Sequence, residues 1–120
     1  MKHKTIRNHK DFFAVSDDKH VFVVRTDCCI VKTKSSKKYG DNRYGLVVTK
    51  KNFKLAVHRN RAKRLLRDWV AFNEDLMLPD LDYILIAGPS VLNNDRVNGR
   101  EMVYNAFKQI AKLYEQNVKN

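Results

Sequence analysis

Residues 50–67 read Lys50-Lys51-Asn52-Phe53-Lys54-Leu55-Ala56-Val57-His58-Arg59-Asn60-Arg61-Ala62-Lys63-Arg64-Leu65-Leu66-Arg67. They hold eight Lys/Arg and no acid. Wound into a helix at about 100° per residue, the positions from Leu55 onward separate by chemistry. Leu55, Ala62, Leu65, Leu66, Trp69 and Val70 share one face, suited to packing on a sheet. Asn60, Lys63, Arg64 and Arg67 lie opposite, at i, i+3, i+4 and i+7, and Arg59 and Arg61 flank the boundary. Such a helix buries its back and offers a row of cations to a phosphate backbone. Arg presents a planar donor fork that grips phosphate in two places. Asn60 both donates and accepts, which suits a base edge, a 2′-hydroxyl or a phosphate. Lys63, Arg64 and Arg67 repel one another by roughly a few tenths of a kcal/mol per pair. An anionic ligand offsets that cost, whereas a merely solvated helix face would intersperse acids. The acids lie elsewhere: residues 68–95 contain six and no Lys or Arg.

The whole chain repeats this asymmetry. Its 120 residues carry a net charge of +11, with +14 on residues 1–67 and −3 on residues 68–120. Basicity concentrated in this way points to a polyanionic partner, nucleic acid or acidic lipid. The length fits one domain, and an apolar fraction of 43% supports one core. No apolar run approaches the ~20 residues of a membrane span. The basic start, Met1 to Arg7, is followed by no apolar segment, so it does not read as a secretory signal. Two adjacent thiols, Cys28 and Cys29, point to opposite faces if they lie on a strand. They are then poorly placed to bridge, which fits a reducing cytoplasm.

Working outward from the basic segment, residues 8–16 form a short helix, with Asn8 as N-cap and Phe12 and Val15 on one face. Residues 20–26, 28–33 and 43–49 read as strands, and residues 34–42 as a basic loop. The basic helix spans about 55–73, and a turn follows around Pro79. Residues 82–87, Asp-Tyr-Ile-Leu-Ile-Ala, form a buried strand ending at Gly88-Pro89. Asn93-Asn94-Asp95 and Asn98-Gly99 form a polar connection. A last helix from about 100 to 117 presents Val103, Ala106, Phe107, Ile110, Leu113 and Tyr114 on one stripe. The expectation is a single α+β domain over 1–120, order α-β-β-β-α-β-α, with helices on a four-stranded sheet. Whether residues 1–7 are ordered stays open.

No catalytic constellation stands out. His3, His9, His20 and His58 lack metal-ligand spacing. Asp17-Asp18 and the Asp80/Asp82 pair suit turns and caps, and no phosphate-binding Gly loop is present. The expectation is therefore no catalytic residue, no metal site and no cofactor on this chain. A DNA-recognition helix would need a preceding helix and turn, yet residues 43–51 read as strand. A membrane-surface helix would need a free apolar face, and here the sheet covers it. A structural RNA-binding protein of the ribosome fits composition and size equally well.

The motifs discriminate further. Arg59-Asn60-Arg61-Ala62-Lys63-Arg64-Leu65-Leu66-Arg67 resembles the signature of the ribonuclease P protein component family: Arg-Asn-Arg, any residue, Lys-Arg, two residues, Arg. Arg43-Tyr44-Gly45-Leu46-Val47-Val48-Thr49-Lys50-Lys51 is similar to the family's strand before it. Ala56-Val57, Asp82 to Ala87, and Asp11-Phe12 also fit in order and spacing. The resemblance implies a ribosomal-protein-like fold with a left-handed βαβ crossover. It implies a subunit that binds the catalytic RNA and the 5′ leader of precursor tRNA, with the catalytic groups and Mg²⁺ belonging to the RNA. Contacts to RNA would come from Lys50, Lys51, Arg59, Asn60, Arg61, Lys63, Arg64 and Arg67. A leader cleft would involve Phe12, whose other reading is plain core. Ser16 and Lys32 stand where relatives often carry further cleft aromatics. The implied partners are ribonuclease P RNA and precursor tRNA, with no membrane, no obligate protein partner and a cytoplasmic location.

Overall fold

The computed structural model describes residues 4–5, 21–35 and 43–119. The expected helix over residues 8–16, Phe12 and Ser16 lie outside these. At the centre is β5 (Leu81–Ala87), buried at every position except a half-buried Ile86. It pairs in parallel with β4 (Arg43–Val47) and antiparallel with β3 (Cys29–Ser35). A strand hydrogen-bonded on both edges and covered on both faces needs apolar residues without alternation, hence Tyr83-Ile84-Leu85-Ile86-Ala87. β2 (Val23–Arg25) extends the sheet beyond β3. The four expected strands are joined by a fifth, β1 (Lys4–Thr5), which runs parallel to Arg43–Tyr44 and so places two residues of the N-terminal segment. The sheet order is β1-β4-β5-β3-β2.

Two long helices follow: α1 (Ala56–Phe72), which connects the parallel strands β4 and β5, and α2 (Arg96–Lys119). α1 buries Ala62, Leu66, Trp69 and Val70, the spacing of one helical face, and half-buries Leu65. Leu55, expected on that face, is instead 57% exposed. It is the N-cap residue, in extended conformation at φ −91° and ψ 136°, so it lies off the helix and away from the stripe. α2 buries Val103, Ala106, Phe107 and Ile110, and the Phe107 ring packs tilted on Tyr83 at 5.0 Å. With these side chains, Val31, Leu81, Leu85 and Val91 build one continuous core.

α2 begins four residues before the expected Arg100. Asp95 starts it: its carboxylate accepts the Asn98 N–H at 2.8 Å, and its carbonyl accepts the Gly99 N–H at 2.9 Å. Asn98-Gly99 is therefore helix, not connection. The glycine that suggested a break is there for space, because a Cβ on Gly99 would lie 1.9 Å from Trp69 Cε2. Asn73, buried at the end of α1, joins the same contact by donating from Nδ2 to Trp69 O and Arg100 O, both at 2.9 Å.

The cysteines sit beside the end of β5, where Cys29 pairs with Ala87, both buried and free. Cys28 precedes β3, in a bend that Thr26 organises by accepting the Cys28 and Cys29 N–H groups at 3.3 and 3.0 Å. The opposite-faces expectation fails because Cys28 is outside the strand. Its thiol donates to Met102 Sδ at 3.0 Å. A hydrogen bond with the Cys29 side chain, aided by burial, pushes the Cys28 thiol up and favours its protonated form.

Gly99→Ala tests the helix contact. Alanine is the better helix former by about 0.8–1.0 kcal/mol, yet the added methyl must displace a fully buried indole. The variant should lose about 1–3 kcal/mol overall, as overpacked cores do. A denaturant titration showing equal or greater stability would mean that Trp69 moves aside freely.

Candidate nucleic-acid interface

The basic surface starts in the turn after β4. The Thr49 carbonyl accepts the Phe53 N–H at 2.9 Å, and its hydroxyl accepts the Asn52 N–H at 3.3 Å. Phe53, only 3% exposed, anchors the turn in the core. Asn52 Nδ2 donates to Ala87 O at 3.2 Å, tying the turn to the end of β5. Lys50, Lys51 and Lys54 are left exposed, just ahead of the helix. α1 then begins with no side-chain cap and no acid in its first turn. Its positive end and unpaired N–H groups therefore add to the field of the lysines.

Along α1, Asn60, Arg61, Arg64 and Arg67 are exposed and Lys63 is half-buried. The row Asn60, Lys63, Arg64, Arg67 thus forms one outward stripe, with Lys50 and Lys51 in the turn before it. Arg59 is placed differently. Its Nη1 donates to Phe53 O at 2.8 Å and Lys54 O at 3.1 Å, so this half-buried guanidinium holds the turn against the helix. Arg61 lies to one side of the stripe, and with Arg64 at the stripe's edge, Leu65, Asp68 and Arg96 it lines a cavity of about 230 Å³ between α1 and the start of α2. Asp68 accepts two hydrogen bonds from Arg100, at 3.0 and 3.1 Å, and Arg100 also stacks on Phe72 at 4.4 Å. That pairing, with a further through-space contribution from Arg96, holds the Asp68 carboxyl below the usual carboxylate range.

Phe53 and Arg96 were not singled out by sequence reasoning. Phe53 had a signal, as the one aromatic within a basic run. Arg96 had none, because only packing brings it to α1. His58 is exposed beside the signature. Lys32 sits on β3 opposite Ile84, on the sheet face that carries the separate Ile84–Val47 cluster. Among the described residues, no three His, Cys, Asp or Glu side chains group as metal ligands would. Nor is any helix among them long and apolar enough to cross a membrane.

Comparison with known proteins agrees with the signature. The family model described as Ribonuclease P matches residues 1–111. The ribonuclease P protein component of Marinobacter nauticus is 38% identical over 85 residues, which cover 69% of this chain and 61% of the relative. The chain thus spans about three fifths of that relative's length. The corresponding protein of Saccharophagus degradans is 30% identical over 115 residues, covering 96% of this chain and 83% of the relative. Among solved structures, the Staphylococcus aureus RNase P protein superposes with a TM-score of 0.71 at 26% identity, covering 92% of this chain and 97% of that one. The matched signature, the matched fold and a family model spanning nearly all of the sequence lead to one conclusion: the chain belongs to the ribonuclease P protein family.

Proposed function

We propose that this chain is the protein subunit of a cytoplasmic ribonuclease P. It binds the catalytic RNA and the 5′ leader of precursor tRNA, and it assists endonucleolytic removal of the leader. The observation that carries this reading is the outward stripe Asn60, Lys63, Arg64, Arg67 on a helix whose other face is locked into the core. A rigid row of charge-assisted donors is what a folded RNA backbone can engage without reorganising the protein. A DNA-recognition reading gains no support, because a strand and a turn precede α1 rather than a helix. The chemistry belongs to the RNA and its Mg²⁺. The protein neutralises phosphates and holds the leader in a cleft for which Phe12 is the candidate residue, its other reading being plain core.

The direct test is a precursor-tRNA cleavage assay with and without a bacterial ribonuclease P RNA. Leader removal should appear at physiological Mg²⁺ only when both components are present. Cleavage by protein stripped of all RNA would overturn the assignment of chemistry to the RNA.

Binding should also depend steeply on salt. If about six side chains neutralise phosphates, a fourfold rise in salt should cost on the order of a thousandfold in affinity. A flat plot of log affinity against log salt would reject the electrostatic account.

The double variant Arg64→Ala/Arg67→Ala should melt like wild type, since exposed substitutions usually fall within about ±0.5 kcal/mol. It should bind the RNA more weakly, by roughly 1.5–3 kcal/mol for each charge-assisted hydrogen bond removed. Holoenzyme activity should fall at low Mg²⁺ and recover at high Mg²⁺, where divalent ions take over phosphate neutralisation. Unchanged RNA affinity in a folded variant would remove this helix face from the interface.

A further inference from the structure

We propose that Arg61, Arg64 and Arg96 form a pocket for one RNA phosphodiester, which fixes the register of α1 on the nucleic acid. The proposal rests on the RNA-binding reading and goes past it in two ways: it adds a residue outside the signature helix, and it separates a single seat from a diffuse stripe. Arg61, Arg64, Leu65 and Asp68 follow one another at i, i+3, i+4 and i+7 along α1, a row that shares only Arg64 with the outward stripe. Arg96, the first residue of α2, closes the cavity of about 230 Å³ from the other side.

The position of Arg96 is not accidental. Gly99 seats the first turn of α2 on the Trp69 ring, and Asn73 and Asp68 both bond to Arg100. Together these interactions hold the backbone on either side of the pocket. The only carboxylate in the lining, Asp68, would oppose an anion if it were unpaired. Both of its oxygens are taken by Arg100, so that pair is close to neutral and three guanidinium groups set the local field. Among the described residues, Arg61, Arg64 and Arg96 form no salt bridge of their own. Three like charges around a small cavity repel one another, and a tetrahedral anion with several acceptor oxygens satisfies all three planar forks together. A base would need an aromatic or apolar wall to stack on, and the lining offers Leu65 alone.

The phosphodiester belongs either to ribonuclease P RNA or to precursor tRNA, and one variant set separates them. Arg96→Gln, Arg96→Lys and Arg67→Gln are made in the full chain, the last lying on the stripe but outside the pocket. Arg96 is exposed, so all three should melt like wild type. Inorganic phosphate titrated into the free wild-type protein should shift the side-chain Nε resonances of Arg61, Arg64 and Arg96 together in an NMR experiment. It should not do so in Arg96→Gln. Arg96→Gln should weaken RNA binding roughly tenfold and lower the salt slope by about one. Arg96→Lys, which keeps the charge but not the fork, should recover the slope and only part of the affinity. A loss seen with ribonuclease P RNA alone assigns the phosphate to the catalytic RNA. A loss seen only in precursor-tRNA affinity of the assembled holoenzyme assigns it to the substrate. If Arg96→Gln changes neither while Arg67→Gln weakens binding, the pocket is refuted and the RNA-binding reading stands. If neither variant changes anything, the reading itself falls with it.

Discussion

The contact between Trp69 and Gly99 sets the relation between the two helices, and the charged surface depends on that relation. The indole is fully buried and reaches into the space a Cβ would occupy on α2. Glycine in a helix costs about 0.8–1.0 kcal/mol relative to alanine, so the sequence accepts a local penalty for a close approach of backbone to ring. Asn73 bonds to the carbonyls of Trp69 and Arg100, and Arg100 bonds to Asp68 one residue before Trp69. Packing, backbone and ion-pair interactions thus lie within one helical turn of each other. That turn is where α1 ceases to be basic and where Arg96 enters.

The sheet performs the complementary task. β5 holds β4 on one edge and β3 on the other, and the apolar row of α1 lies against the core these strands build. With Ala62, Leu66, Trp69 and Val70 fully buried, the helix cannot roll. The opposite face must then carry Asn60, Lys63 and Arg67 outward whatever their mutual repulsion. The turn that feeds this helix is fastened at Phe53, Asn52 and Arg59 rather than by an N-cap side chain. A capping Asp or Glu would stabilise the helix end by placing negative charge there. Its replacement by an arginine reaching back to two carbonyls keeps the start of the basic surface positive.

Much of this was legible from periodicity alone. The run from Asp82 to Ala87 marks a buried strand because both faces need apolar groups. The stripe from Ala62 to Val70 marks the buried side of α1 because its spacing fits no strand. Asn60, Lys63, Arg64 and Arg67, at i, i+3, i+4 and i+7, mark the opposite side. What escaped depended on tertiary packing. Leu55 reads as core in a continued helix, yet the helix starts one residue later. Gly99 reads as a break, yet a neighbouring ring requires it. Arg59 reads as one more phosphate ligand, yet part of its guanidinium is used on the chain's own carbonyls. Arg96 stands 29 positions beyond Arg67 in the chain, so no helical wheel could associate it with the signature. Phe12, which reads equally as leader cleft or as core, lies outside the described residues.

Asp68 shows why the boundary of the basic surface falls where it does. It is the first acid after Asp41, ending twenty-six residues without one, and it sits seven positions after Arg61 on the same stripe. Unpaired, it would cancel part of the field that Arg61 and Arg64 create. Paired to Arg100 in a two-bond fork, it becomes a structural fastening between the helices and leaves the neighbouring guanidinium groups unopposed. Its carboxyl, held below the ordinary carboxylate range by that fork, stays ionised as pH falls through that range. The contribution of the pair is therefore present above the unfolded-state pKa and is lost only as pH falls through the lower folded-state value. Phe72 beneath Arg100 adds an aromatic face to the same cation. The same carboxylate thus ends the basic surface and secures the helix that supplies its last arginine.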